Sequence, residues 1–448
     1  MLTVDQARER AADLVARARA AGADTADSVF AASGSTSVQV RLGQLEDVER
    51  SEGQEIGLRV FVGKRSASVS GSDLSPDALA TLAERCVAMA RLAPEDPYAG
   101  LAPDELLSRG ATPALDIDDG GEVSPESLRE AALAAEEAGR AIAGITNSQG
   151  ASASGGRSVT ALATSHGFAA AYSGSSHGVS AQMLAGEGAG MQRDYHYSSA
   201  RYRSDLDDPA SVGSEAGIRA VARLNPERLK SGSMPIVFDR RVSASLIGHL
   251  AAAINGASIA RGTSFLKDAL NTKIFDSGIT IVDDPLRARG LRSRPHDGEG
   301  LPTHVTRLID GGVLTGWIAD CAAARQLGIA PTGHASRGVS GPPGAGLSNV
   351  HLEAGSVSRD ALIADISEGF LVTELIGQGV NTLTGDYSRG ASGFVIRGGQ
   401  IAGAVDGVTI AGNLKDMFAA LIPADDLVFE HAINVPTLRI DGMTLAGE

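Results

Sequence analysis

The sequence predicts an α+β protein, with N-terminal α/β units on antiparallel sheet followed by a β-rich C-terminal domain with a few packed helices. Three observations carry this. Helical periodicity is concentrated in the first 255 residues, and short apolar runs separated by glycines fill most of the remaining chain. Glycine accounts for 55 of the 448 residues, about 12% against a usual ~7%. It shows no collagen-like period, so it suits tight turns and bulges. At ~150 residues per domain the chain has room for two or three units. We expect an N-terminal α+β unit over 1–110, a second unit of long helices and antiparallel strands over 111–228, and a β-rich domain over 229–448.

The spacing of Ala7, Ala11, Leu14, Val15 and Ala18 predicts a helix from about Val4 to Ala21. Five alternating runs come next, from DSVFAA to RSASVSGS, and their separators SG, GQ and GK read as hairpin turns. Ser75-Pro76 opens a second helix ending near Leu92, with proline in its first turn. A proline-rich connector covers Ala93 to Pro113, and Ser124 starts a third helix reaching about Ala143. Alternation persists through the Ser-, Gly- and Ala-rich stretch from Thr146 to Arg203, so long antiparallel strands are expected there rather than disorder. A helix from Pro209 to Leu224 closes this part. A buried-type strand, Ser233 to Asp239, then leads into a helix from Arg241 to Ile254. Beyond it, runs joined by DGG and RGG are hairpin signals.

The net charge is −15, and no cluster of Lys and Arg supplies a phosphate footprint, so nucleic-acid binding is not expected. The N-terminal segment alternates charged with apolar residues and does not read as a signal peptide. No apolar stretch is long enough for a bilayer, so a cytoplasmic protein is expected. Cys86 and Cys321 form no CxxC pair, which excludes a disulfide framework and a cysteine-built zinc site.

Gly174-Ser175-Ser176-His177-Gly178 has the spacing of a G-x-S-x-G nucleophile elbow, which requires a strand–turn–helix context. Both flanks read as strands, so we expect a hairpin tip. The cluster Gly186 to Gly190 opens no helix that could cradle a phosphate and reads as a loop. None of the nine histidines pairs at i, i+4 on a helix, the spacing that aims two imidazoles at one zinc.

The ordered segments GSMPIVFD, RGTSFLKDALNTKIF, GITIVDDP, RGLRSRPHDGEGLPT, ASRGVSGPPGAGLSNVHLEAG and TGDYSRGASGFVIRGGQIAGAV resemble the TldD/PmbA family, the modulator-of-gyrase peptidases. EIGLRVFVGKRSASVSGSDLS is the clearest mark in the first half. The resemblance implies two branches that together form a heterodimeric zinc metallopeptidase. In the TldD branch a helix carries HExxxH: two histidines bind zinc, and the glutamate takes a proton from the metal's water. A cysteine near the C-terminus completes the ligands. Here the matching helix reads Gly248-His249-Leu250-Ala251-Ala252-Ala253. Gly248 and Ala253 fall at the ligand positions and His249 at the base position, and DLVFEHAINVPTLRIDG has no cysteine.

The resemblance therefore implies a PmbA/TldE-type subunit with no catalytic residue and no metal of its own, zinc being expected in a TldD-type partner. The pair would degrade or process unfolded or extended peptides, held in part by strand addition. Two alternatives stand beside it: a homodimeric peptide-binding protein outside the peptidase system, and a metal-independent hydrolase resting on Ser176 and His177. Candidate substrate-cleft residues are Arg294, His296, Asp297, Glu299, Arg337, Asp386 and Arg389, which fall in turns resembling the family's marked segments. Turn stabilisation is the competing role for all seven.

Overall fold

Thr3 caps α1 (Val4–Ala20) reciprocally: its hydroxyl accepts the Gln6 N–H, while the Gln6 side chain accepts the Thr3 N–H. The computed structural model describes residues 2–447. The apolar stripe predicted for α1 is the face it buries. The five runs after it are three strands, β1 (Thr25–Arg41), β2 (Gln44–Val62) and β3 (Arg65–Gly71). The chain turns at Gly43 and Gly63, both at positive φ. It does not turn at Ser33-Gly34, because Gly34 is paired on both sides, with Glu52 and with Arg157.

After α2 (Pro76–Leu92) and the connector come α3 (Pro125–Arg140), β4 (Ile145–Thr164), β5 (Ala169–Ala185), β6 (Gln192–Ala200) and α4 (Pro209–Ala222). The six strands form one antiparallel sheet in the order β3-β2-β1-β4-β5-β6. It is continuous across residues 25–200 because β1 lies against β4. One face carries all four helices. α1 and α2 pack with Phe30, Val159 and Ala161 at one end, and α3 and α4 with Val38, Ala153 and Val179 at the other. The small residues of α3 and α4 let their backbones meet: a Cβ added at Gly213 would lie 1.7 Å from the Ala135 carbonyl oxygen.

The segment Gly174 to Gly178 lies in the middle of β5 and is not a hairpin tip. Its residues pair with β4 on one side, and His177 and Gly178 also pair with β6.

The C-terminal part opens with β7 (Gly232–Phe238), α5 (Arg240–Ala253) and α6 (Gly256–Ala260). Next come β8 (Ile281–Asp283), β9 (Thr306–Asp310), β10 (Val313–Leu314), α7 (Cys321–Leu327), β11 (Ala335–Ser336), β12 (Gly344–Ala345) and β13 (Val350–Leu352). The remainder is α8 (Arg359–Ile363), β14 (Glu368–Ile376), β15 (Asp386–Arg397), β16 (Gln400–Asn413), α9 (Leu414–Ala420), β17 (Ile422–Pro423), β18 (Ile433–Asn434) and β19 (Leu438–Ala446). The expected DGG and RGG hairpins are present, joining β9 to β10 and β15 to β16. In the second, Gly398 and Gly399 both take positive φ, as a two-residue I′ turn requires.

Strands β16, β15, β14, β7 and β19 are neighbours in that order, and β16 also pairs with β19, so the five close on themselves. One apolar cluster joins this closed sheet to α5, α9 and the smaller β10-β9-β8-β13-β18 sheet. The helix-free face of the N-terminal sheet sits on the C-terminal part, where Val29 and Leu162 pack with Leu301 and Cys321. Among the described residues no helix is long and apolar enough to cross a membrane.

Candidate functional site

Helix α5 comes directly after β7, its first turn capped by Asp239, whose carboxylate accepts the Arg241 N–H at 3.1 Å. It buries Leu246, Ile247, Leu250 and Ala253 against the core. Gly248 is exposed, and a Cβ there would meet nothing within 4 Å. His249 is half-buried and lies edge-on to Tyr387 of β15, with ring centroids 5.9 Å apart. Arg389, two residues along the same strand and on the same side, completes the group. Tyr387 is 1% and Arg389 9% exposed. Burial, and then the Arg389 charge, holds the His249 imidazole below its usual pKa. Burial pushes the Tyr387 phenol up, against the pull of the same charge. Ser245 Oγ, His249 Nε2, Tyr387 Oη and Arg389 Nε are all enclosed without a hydrogen-bond partner.

These residues do not fit a zinc ion. Gly248 offers no donor, Ala253 is an apolar core residue, and the cation of Arg389 acts on His249. Among the described residues no group of three or more His, Cys, Asp or Glu is placed to hold a metal.

The segment Arg294 to Gly300 is drawn under the N-terminal sheet and does not line an open cleft along its length. Asp297 accepts N–H bonds from Glu299, Leu301 and Ala335, at 2.8, 2.9 and 3.2 Å. Burial pushes its pKa up in spite of them. Glu299 accepts the Cys321 N–H at 2.7 Å and lies 3.7 Å from Arg59, with burial again raising its pKa. Arg59 of β2 is paired with Asp27 of β1 through Nε and Nη2. Arg337, its side chain 1% exposed, places Nη1 2.6 Å from the other side of Asp27. Although burial alone would raise the Asp27 pKa, Arg337 and Arg59 hold it below the ordinary carboxylate value. Asp27, Arg59, Glu299 and Arg337 thus form a charge-balanced, buried knot between the two halves. This corrects the expectation for Asp297, Glu299 and Arg337: Asp297 is buried holding its own turn and Ala335 within the C-terminal part, while Glu299 and Arg337 join the knot between the halves.

The other candidates separate. Arg294 donates to the Ala335 and Gly346 carbonyls and ties two turns together. His296 packs edge-on to Phe168 and Tyr172 and lines a cavity of about 250 Å³ with Phe168 and Arg109. Asp386 is exposed, accepting from Thr384 and Asn413 at a turn. Arg389 alone joins His249. Asp27, Arg59 and Tyr387 were missed by the sequence reading. For Tyr387 the signal was present, since residues i and i+2 of a strand share a face.

Ser176 and His177 are neighbours in a strand, so their side chains point to opposite faces. Ser176 is exposed, whereas His177 is buried with Nε2 2.7 Å from Asp119. They cannot act as a nucleophile–base pair, and the hydrolase alternative loses its basis. The Gly186–Gly190 cluster is the expected loop, with a short turn before β6.

β6 is one of the two edge strands of the N-terminal sheet, and at Tyr195 its backbone is engaged by side chains: the N–H donates to Asp194 and the carbonyl accepts from Arg219 and Arg241. Its exposed Tyr195 and Tyr197 stack with ring centroids 6.3 Å apart. With Arg219, Arg240 and His431 they line a groove against the C-terminal part.

A helix-covered antiparallel sheet seated on a closed β-rich domain is an architecture shared with known proteins. Three family profiles match in order: PmbA/TldA metallopeptidase domain 1 over residues 26–90, the central domain over 118–224 and the C-terminal domain over 231–447. The chain belongs to the PmbA/TldD family. It is similar to Metalloprotease PmbA of Escherichia coli O157:H7, with 37% identity over 92% of this chain and 90% of that one. A PmbA homolog of Haemophilus influenzae is 34% identical over 98% and 96%. Among solved structures, a Bacteroides thetaiotaomicron protein described as a modulator of DNA gyrase superposes with a TM-score of 0.91, at 26% identity and full coverage of both chains. TldE from Thermococcus kodakarensis, at 22% identity, shares the fold with a TM-score of 0.86 over 97% of this chain and 99% of that one.

Proposed function

We propose that this chain is the metal-free, non-catalytic subunit of a heterodimeric zinc metallopeptidase, completing a peptide-processing chamber with a TldD-type partner in the cytoplasm. One observation carries the reading. On the helix where the resemblance implies HExxxH in the catalytic branch, this family member has Gly248 and Ala253 at the ligand positions and a histidine beside a buried arginine at the base position. A zinc-bound water needs both ligands and a carboxylate base to become a nucleophile, so hydrolysis is assigned to the partner.

The β6 edge supports a role in holding extended chains. An edge strand accepts a peptide by main-chain hydrogen bonds with little demand on its sequence, and such a peptide would displace the Asp194, Arg219 and Arg241 side chains that bond the Tyr195 backbone. Tyr195 and Tyr197 add amphipathic contact area beside it.

The test is an unfolded-peptide hydrolysis assay, with zinc quantified, on this chain, a TldD-type chain and the two co-purified. Zinc and activity should follow the TldD-type chain and rise on co-purification. Stoichiometric zinc and hydrolysis in this chain alone would overturn the assignment. A homodimer that never associates with the TldD-type chain would favour the stand-alone peptide-binding alternative.

A further inference from the structure

A guanidinium that is nine-tenths buried ordinarily has a carboxylate or several carbonyls around it, because an unpaired buried charge is costly. Arg59 and Arg337 follow that rule, both paired with the Asp27 carboxylate. Arg389 does not. It is 9% exposed, its Nε is enclosed without a partner, and no ion pair to it is found among the described residues. His249 Nε2 and Tyr387 Oη, both within reach of its charge, are enclosed and unpaired, and so is Ser245 Oγ, one helical turn before His249. A guanidinium N–H and a phenol O–H donate, an imidazole N–H donates in one tautomer, and a hydroxyl turns to suit. Arg389, His249 and Tyr387 can therefore donate toward one acceptor.

We propose that Arg389, His249 and Tyr387, with Ser245 beside them, form a binding site for a carboxylate. A planar two-oxygen anion matches the guanidinium fork and leaves lone pairs for the neutral donors. Charge selects the same class. Arg389 brings one positive charge, and His249 is held toward its neutral form by burial, so a monoanion balances the site and a phosphate dianion would not. Gly248, next to His249 on α5, is exposed with open space where a side chain would stand. In a protein of this family the carboxylate has two sources, the C-terminus of a peptide or an Asp or Glu side chain within it. The site belongs to this chain alone, so its test is independent of the pairing proposed above.

The experiment is calorimetric titration of the full chain with three N-acetylated pentapeptides: Ala-Ala-Gly-Ala-Ala with a free C-terminus, the same peptide C-amidated, and an amidated version with a central Asp. Binding of the free acid and not the neutral amide is expected. Binding of the Asp amide as well would assign any peptide carboxylate, and its failure would assign the C-terminus. Arg389→Gln should weaken binding by at least about tenfold, since hydrogen bonds to charged groups are the strong ones. Tyr387→Phe should weaken it several-fold, and it serves as the readout if Arg389→Gln fails to fold by circular dichroism. Three outcomes would overturn the site: equal binding of the neutral amide, no binding of either carboxylate peptide at millimolar concentration, or unchanged affinity in both variants.

Discussion

At the scale of single residues, Asp27 shows how a charge can be buried at tolerable cost. Arg59 and Arg337 meet it from two sides, and Glu299 restores neutrality. Removing one member leaves uncompensated charge, which typically costs ~3–5 kcal/mol. Asp27→Asn should therefore lower the unfolding free energy by about that amount, as read from urea denaturation. Its pH dependence has a definite sign. The folded pKa of Asp27 lies below the unfolded one, so its stabilisation is complete above roughly pH 4 and fades as pH falls toward the folded value. The gap between wild type and Asp27→Asn should narrow in acid. A gap unchanged from pH 7 to pH 3 would show that the pair does not hold the carboxylate ionised.

At the scale of elements, two helix glycines make opposite predictions. Gly213 is where α4 meets α3, and a methyl there would collide with the Ala135 carbonyl. Gly213→Ala should destabilise by ~1–3 kcal/mol through overpacking. Gly248 faces open space in the interior of α5, so Gly248→Ala should stabilise by roughly 0.5–1 kcal/mol through helix propensity. Thermal melts of the pair test both signs. Helices were the legible part of the sequence because their signals are local: Thr3, Ser75, Ser124 and Asp208 cap where they stand. Strand continuity was less legible. Whether Ser33-Gly34 turns or runs straight depends on β4, more than a hundred residues later. The candidate site divided the same way. Arg389 and His249 were named, but whether the charged turn residues face solvent or an internal interface depends on tertiary packing.

At the scale of the whole molecule, β7 pairs with β19 across about two hundred residues, and β19 in turn meets β16. Deleting residues 438–448 should open the closed sheet, unpairing β7 along one side and β16 at Thr409 to Ala411, and exposed strand edges are a known route to aggregation. The N-terminal sheet contains no strand from that half and should keep its pairing. Hydrogen exchange on the truncated chain should therefore show protection retained over residues 25–200 and lost over β7 and residues 409–411 of β16. Protection lost uniformly would mean that the two halves fold only together.

Closure by the last strand also sets an order of events during synthesis. At ~5–20 residues per second, some 10–40 seconds separate the emergence of β7 from that of β19. Over that interval the N-terminal sheet can finish, with Asp27 already seated on Arg59. Arg337 and Glu299 come later, on the unfinished half. The buried knot is thus built in two instalments, and its second half acts as a latch that engages an already formed surface.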